Sequence, residues 1–363
     1  MIVYRVVCGK QKLSRPHSLV YYWFAVYLVR VVWILFSNDP QYGLRWMGTS
    51  LPFLFLPLLL QYLLLNERIL KTVLTFFVHF TLLFCVIGLL SMVYHSFTVP
   101  IAIKEWVLHP KSYYPFVYAW SNYDHPSVLC VIYLLALPVG LYLKRKYRTV
   151  SIAELTALIA VETAMLIFTG ARVGMIIFPL LLLWMLFYRI SLKRKVMVIG
   201  LPVALAGVMV IGLLGWDNQF TDRFKDPIRI QLWETAIASI KERPLLGTGT
   251  GGMKAVCTSP ELTVKLNYPE PLSFNNPHNQ YLGEIMHFGF IGATALSGTL
   301  IYLLILAFRK KDFLLQSLLL ILFIQMFTEM PFDSHKGIYS YLFFISLFVV
   351  SFSLRADTGS KTQ

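Results

Sequence analysis

Apolar residues along this chain come in runs of about twenty, not at the three-and-four spacing of an amphipathic helix, and that is the length a helix needs to cross a bilayer. Ten such spans can be drawn, at about 17–36, 46–65, 72–94, 126–143, 150–168, 173–190, 196–214, 280–307, 313–330 and 338–354. The eighth is long enough to be tilted, or broken near Gly289 or Gly292. The pattern predicts an all-α fold, a polytopic transmembrane bundle of about ten spans forming a single domain over residues 1–363. Residues 215–277, between spans seven and eight, form a partly helical external loop within it. No internal repeat or low-complexity tract interrupts the pattern.

Composition agrees, with 57% hydrophobic residues and a mean hydropathy of +0.65 over 363 residues. The formal charge of +14 raises the question of a nucleic-acid partner, but the basic residues stand in short clusters at the ends of the apolar runs. That is the distribution of cytoplasmic loops, so the reading is no nucleic acid. More than half of the 32 Lys and Arg residues fall on one side: residues 1–16, Arg68 and Lys71, Lys144 to Arg148, Arg189 to Lys195, Arg309 to Lys311, and the tail. That side is expected to be cytoplasmic and to hold both termini. The first apolar run is long and lacks a small-x-small cleavage site, so it reads as an uncleaved span. The 215–277 loop carries as many acidic as basic residues and is expected to face away from the cytoplasm. Cys8, Cys85, Cys130 and Cys257 are too scattered to suggest a disulfide framework or a cysteine metal site.

Candidate chemistry gathers on that outer side. His278 stands where the long polar loop ends and an apolar helix begins, in Pro277-His278-Asn279-Gln280-Tyr281-Leu282. Arg172 follows a tight turn, Phe168-Thr169-Gly170-Ala171, and should fall in the first turn of span six. A cation there opposes the helix dipole, so it either snorkels to water or helps the free N–H groups hold an anion. Arg229 repeats the case: Asp226-Pro227 reads as N-cap and first residue of a helix that puts Ile230, Trp233, Ile237 and Ile240 on one face and ends near Arg243-Pro244. Its alternatives are an anion site or a salt bridge to Asp222 or Asp226. Gly247-Thr248-Gly249-Thr250-Gly251-Gly252 fails both the dinucleotide and the phosphate-loop patterns and reads as a flexible connector. Charges at membrane depth usually face a cavity or a partner. Glu162, Glu284 and Glu329, with Asp333 and His335 just beyond, can orient the histidine, balance the arginines, or bond helices together. Trp106, Tyr113, Tyr114, Tyr118 and Trp120 suit either an interfacial belt or a stacking surface for sugars.

These residues resemble a known family. His278-Asn279, nine residues, then Gly289-x-x-Gly292 resembles the signature of the O-antigen ligase and polymerase superfamily. The upstream Arg229-x-x-x-Trp233 and Pro244-Leu245-Leu246-Gly247-x-Gly249 look like its preceding segment, and Gly170-Ala171-Arg172 resembles its other arginine site, with alanine where serine is more usual. The resemblance covers about 165–295, and ten spans depart from the twelve common in the ligases. It implies a membrane-embedded glycosyltransferase of the C-type fold class in a bacterial inner membrane, working on the periplasmic face without metal or other cofactor. The implied donor is a glycan on undecaprenyl diphosphate. The implied acceptor is a sugar hydroxyl of lipid A core in a ligase, or another lipid-linked repeat in a polymerase.

The chemistry suits the residues. Two guanidiniums, Arg172 and Arg229, can hold a departing diphosphate, and His278 can act as the base that takes the acceptor's proton, giving inversion. Asn279 and Gln280 would orient groups or bind sugar, with Glu162, Glu284 and Asp333 as further orienting candidates. Gly289 and Gly292 would permit close helix packing. A transporter or flippase is the rival from another class, but it predicts functional residues near mid-membrane and a related arrangement in two halves.

Overall fold

A computed structural model describes residues 17–62, 66–98, 126–169, 171–188, 227–258 and 276–352. They form helices α1 (Ser18–Val32), α2 (Pro40–Ser50), α3 (Pro52–Tyr62), α4 (Glu67–Thr98), α5 (Pro126–Leu134), α6 (Ala136–Lys146), α7 (Ile152–Thr169), α8 (Arg172–Phe187), α9 (Pro227–Glu242), α10 (Gly252–Cys257), α11 (Gln280–Arg309), α12 (Phe313–Gln325) and α13 (His335–Val350). No strand occurs among the described residues. Four stretches are long and apolar enough to cross a membrane, Ser18–Phe36, Pro40–Tyr62, Glu67–Ser91 and Gln280–Arg309, and Val173–Phe187, Phe313–Gln325 and His335–Val350 are shorter apolar helices. The described residues are thus all-helical with several apolar spans, consistent with a helical membrane protein. The expected span 196–214 and the aromatic segment from Trp106 to Trp120 lie outside the described residues.

Two compact units divide the chain. The first takes in α1 to α3, α9 to α11 and α13. Its opening follows local signals. The His17 side chain accepts from Leu19 N to cap α1, and a short 3-10 turn, Trp33–Phe36, ends the run. Asp39 then caps α2 by accepting from Tyr42 N, with Pro40 as the first helical residue. The second helical stretch therefore starts at Pro40 rather than near residue 46, because the cap and proline outweigh the polar residues that follow. α13 packs on α3, α11 on α1, and α1 on α3. Trp23, Phe53 and Phe332 meet at this junction with ring centroids 5.5 to 6.0 Å apart.

The second unit holds α4 to α8 and α12. α4 packs on α6 and α7, and α8 packs on α12 and α5. The span expected at 126–143 is two helices, with Leu135 between them.

The eighth span is broken, at Gly289, which interrupts α11 with φ +60 and ψ −176. That backbone region is essentially reserved for glycine. A methyl group there would also run into the Leu245 carbonyl. A break leaves orphan backbone groups, and here the glycine-rich segment supplies the missing partners. Thr248 N donates to Met286 O and Gly249 N to His287 O, both at 2.9 Å, while Phe290 N donates to Pro244 O at 2.8 Å and Ile291 N to Leu245 O at 3.3 Å. The other side of the same segment is tied to the end of α1: Asn38 N donates to Thr248 O, Thr250 N to Trp33 O, and Trp33 Nε1 to Leu246 O. The connector expected to be flexible is an inserted strap. Its positive φ values, at Gly247, Gly249 and Gly251, let its backbone follow two helices at close range. Gly292, in contrast, is a packing position, lying against Phe288 and the Trp33 ring.

Candidate active site

His278 lies in a run of four consecutive residues with distinct duties. Asn276 Oδ1 accepts from His278 N at 2.9 Å, an Asx-type turn. Pro277 is buried and gives its carbonyl to Trp233 Nε1 at 3.0 Å, which ties the turn to α9. His278 takes φ +50, a left-handed conformation that is uncommon for a residue with a Cβ and costs roughly 1 kcal/mol or more. Asn279 is the N-cap of α11, accepting from Leu282 N at 3.1 Å. The imidazole is thereby presented at a helix start with its side chain 32% exposed.

Three side chains from distant parts of the sequence meet there. His278 Nδ1 lies 3.2 Å from Glu329 Oε2, and Arg229 Nη2 lies 3.3 Å from Glu329 Oε1. Arg229 Nη1 donates to Thr328 O at 2.7 Å. Glu329 thus joins the histidine and the arginine through its two oxygens. Arg229 is in the first turn of α9, where the sequence puts it, but its carboxylate partner is Glu329; Asp222 and Asp226 lie outside the described residues. The inward face of α9 is Leu232 and Ala236, packed over Met253, Met286 and Met330 with Ile240 partly buried against them, whereas Ile230 and Ile237 are exposed. Of the expected apolar face, Ile240 and Trp233 therefore pack inward and Ile230 and Ile237 do not.

The remaining candidates divide. Asn279 and Gln280 are buried and their side chains bond within the protein. Gln280 donates from N to Met326 O at 2.8 Å, accepts from Phe332 N on Oε1 at 3.0 Å, and donates from Nε2 to Glu284 Oε2 at 3.0 Å. Glu284 and Asp333 face Arg30, at 3.9 and 3.2 Å from Nη2. His335 Nε2 pairs with Thr49 Oγ1 at 3.1 Å, away from His278. Glu162 and Arg172 belong to the second unit. Glu162 is buried on α7, and neither of its carboxylate oxygens has a hydrogen-bond partner among the described residues. α8 begins at Arg172 with Ala171 as its N-cap, as the turn predicts, but the side chain of Arg172 and the residue Gly170 lie outside the described residues.

Arg30 went unnoticed in the sequence. Its signal is there, since it is the one charged residue inside the apolar run 18–36, and a charge inside such a run requires a partner.

The class of protein is therefore a helical membrane protein with a base-competent histidine, a carboxylate and an arginine joined at the start of a broken helix. No group of three or more His, Cys, Asp or Glu among the described residues is arranged to hold a metal ion. Among known proteins, residues 155–297 match the family model described as O-antigen ligase. An uncharacterized protein of Haemophilus influenzae is 24% identical over 193 residues, covering 47% of this chain and 46% of that protein. The chain spans about half the length of that relative.

Proposed function

We propose that this protein is an O-antigen ligase-type glycosyltransferase. It moves a glycan from undecaprenyl diphosphate to a sugar hydroxyl of lipid A core on the periplasmic face of a bacterial inner membrane. The observation that carries this reading is the Glu329 bridge between His278 and Arg229. A histidine that donates from Nδ1 to a carboxylate keeps its lone pair on Nε2, so Nε2 is the atom that takes the acceptor proton. Glu329 fixes the ring and stabilises the imidazolium that forms. As the acceptor oxygen bonds to the anomeric carbon, the bond to the diphosphate breaks with its electron pair. The charge that develops is met by Arg229, already oriented by Thr328 O. Attack opposite the leaving group inverts the anomeric centre. No step needs a metal ion.

The family also contains polymerases, in which the acceptor is a second lipid-linked repeat. An assay in nanodiscs offering lipid A core and lipid-linked repeat separately distinguishes them: modified core is expected, and a lengthened glycan with unmodified core overturns the ligase reading. In the same assay His278→Ala is expected to bind donor normally and to lose transfer about 100-fold or more. Transfer at the normal rate removes His278 from the reaction.

A further inference from the structure

We propose that Arg30 is a positioning residue for the His278, Glu329 and Arg229 group, acting with Glu284 and Asp333 to fix the turn on which Glu329 stands. The proposal rests on the functional reading above.

The turn from Met326 to Asp333 supplies both contacts that organise the candidate site, the Thr328 carbonyl and the Glu329 carboxylate. It is pinned on each side of them. Gln280 N donates to Met326 O and Phe332 N donates to Gln280 Oε1, while Arg30 Nη2 forms an ion pair with Asp333 Oδ1 at 3.2 Å. Gln280 is two residues from His278, so the turn and the histidine share one anchor. An amide can bind either way round, and the neighbour decides which. Glu284 Oε2 can only accept when ionised, so it takes the Gln280 Nε2 protons and leaves Oε1 to face Phe332. Arg30 Nη2 lies 3.9 Å from the same oxygen, so the guanidinium backs the carboxylate that makes this choice.

Arg30 is itself fixed. It is fully buried, Nη1 donates to Ser50 Oγ at 3.1 Å, and the guanidinium lies over Trp46 and Phe53 at 4.5 and 4.7 Å. Its carbonyl accepts from Thr250 Oγ1 at 2.6 Å, which ties it to the inserted strap. Such a cluster is a poor source of stability, because desolvating three charged groups offsets most of their attraction, and an apolar or neutral replacement is often no less stable. What a fixed guanidinium does provide is a single register for the turn. Arg30 is too buried to touch substrate, so its effect reaches the reaction through Glu329.

The test replaces the charges at nearly constant volume, with Arg30→Met, Glu284→Gln and Asp333→Asn together. This variant is expected to fold, with its thermal midpoint near that of the parent. Its donor and acceptor KM are expected to be unchanged and its kcat reduced on the order of tenfold or more, as for a displaced catalytic group. The loss should largely vanish when Glu329→Gln is already present. Full kcat in the neutral variant, or a loss of the same factor in both backgrounds, overturns the proposal. If the neutral variant does not fold, Arg30→Lys is measured in its place: it keeps the charge but not the fork, and the same dependence on Glu329 is expected. The ring 15N chemical shifts of His278 need no glycan. They should change in either variant, and the change should disappear with Glu329→Gln; an equal change in both backgrounds overturns the proposal. If the parent protein transfers glycan to no acceptor, the functional reading fails, and these chemical shifts alone decide whether Arg30 positions Glu329.

Discussion

Two arginine-carboxylate groups lie within about two helical turns of the start of α11, and burial separates their roles. Arg229 and Glu329 are 27% and 12% exposed at the side chain and share their carboxylate with a histidine that is 32% exposed. Arg30 with Glu284 and Asp333 is shut in, at 0%, 7% and 5%. A partly exposed pair contributes little to stability but can exchange one partner for an incoming phosphate at small cost. A buried pair cannot be reached, and losing one member strands the other in a poor dielectric. On the proposed reading, similar chemistry serves substrate in one place and geometry in the other.

The substitution with the largest expected effect breaks both groups together. Gly289→Ala adds a Cβ against the Leu245 carbonyl at a backbone geometry alanine avoids, and α11 carries Gln280, Glu284 and the His278 junction. Strain and overpacking together are expected to cost on the order of 5 kcal/mol, read as loss of folded protein or a steep fall in thermal midpoint. A midpoint equal to the parent's would mean that α11 is not broken at Gly289. Next, Glu329→Gln sharpens the contrast: it leaves a neutral partner for His278 and Arg229 and should lower kcat by about tenfold to 100-fold with little change in stability. A destabilisation as large as that of a broken buried pair would place Glu329 with the buried group instead. The smallest effect is expected of His335→Ala. Its bond to Thr49 is exposed and touches neither group, so stability should change by about 0.5 kcal/mol or less and transfer not at all.

Local signals made several parts of this arrangement legible in the sequence. The first apolar run, the loop-to-helix junction at His278, the break near Gly289 and the helix start that carries Arg229 each depend on residues within one or two turns. The pairings were not legible. Glu329 is 51 residues from His278 and 100 from Arg229, and nothing in a hydropathy pattern says which carboxylate meets which cation. Glu329 was among the acids that could orient the histidine, yet Glu284 and Asp333 were equally eligible until Arg30 was seen to hold them. The glycine-rich strap was misread for a related reason. Its composition signals freedom in isolation, while its conformation is fixed by a gap in a helix some forty residues further on.

That gap also bears on how the protein reaches the membrane. Segment 280–309 carries two carbonyls, of Met286 and His287, and two amides, of Phe290 and Ile291, that its own helix does not satisfy. In hydrocarbon each would cost several kcal/mol. Their partners, Pro244 to Gly249, precede the helix in the chain and so emerge from the ribosome first. The strap can be waiting when the helix partitions, and a variant lacking it would leave α11 to enter lipid either straightened or not at all.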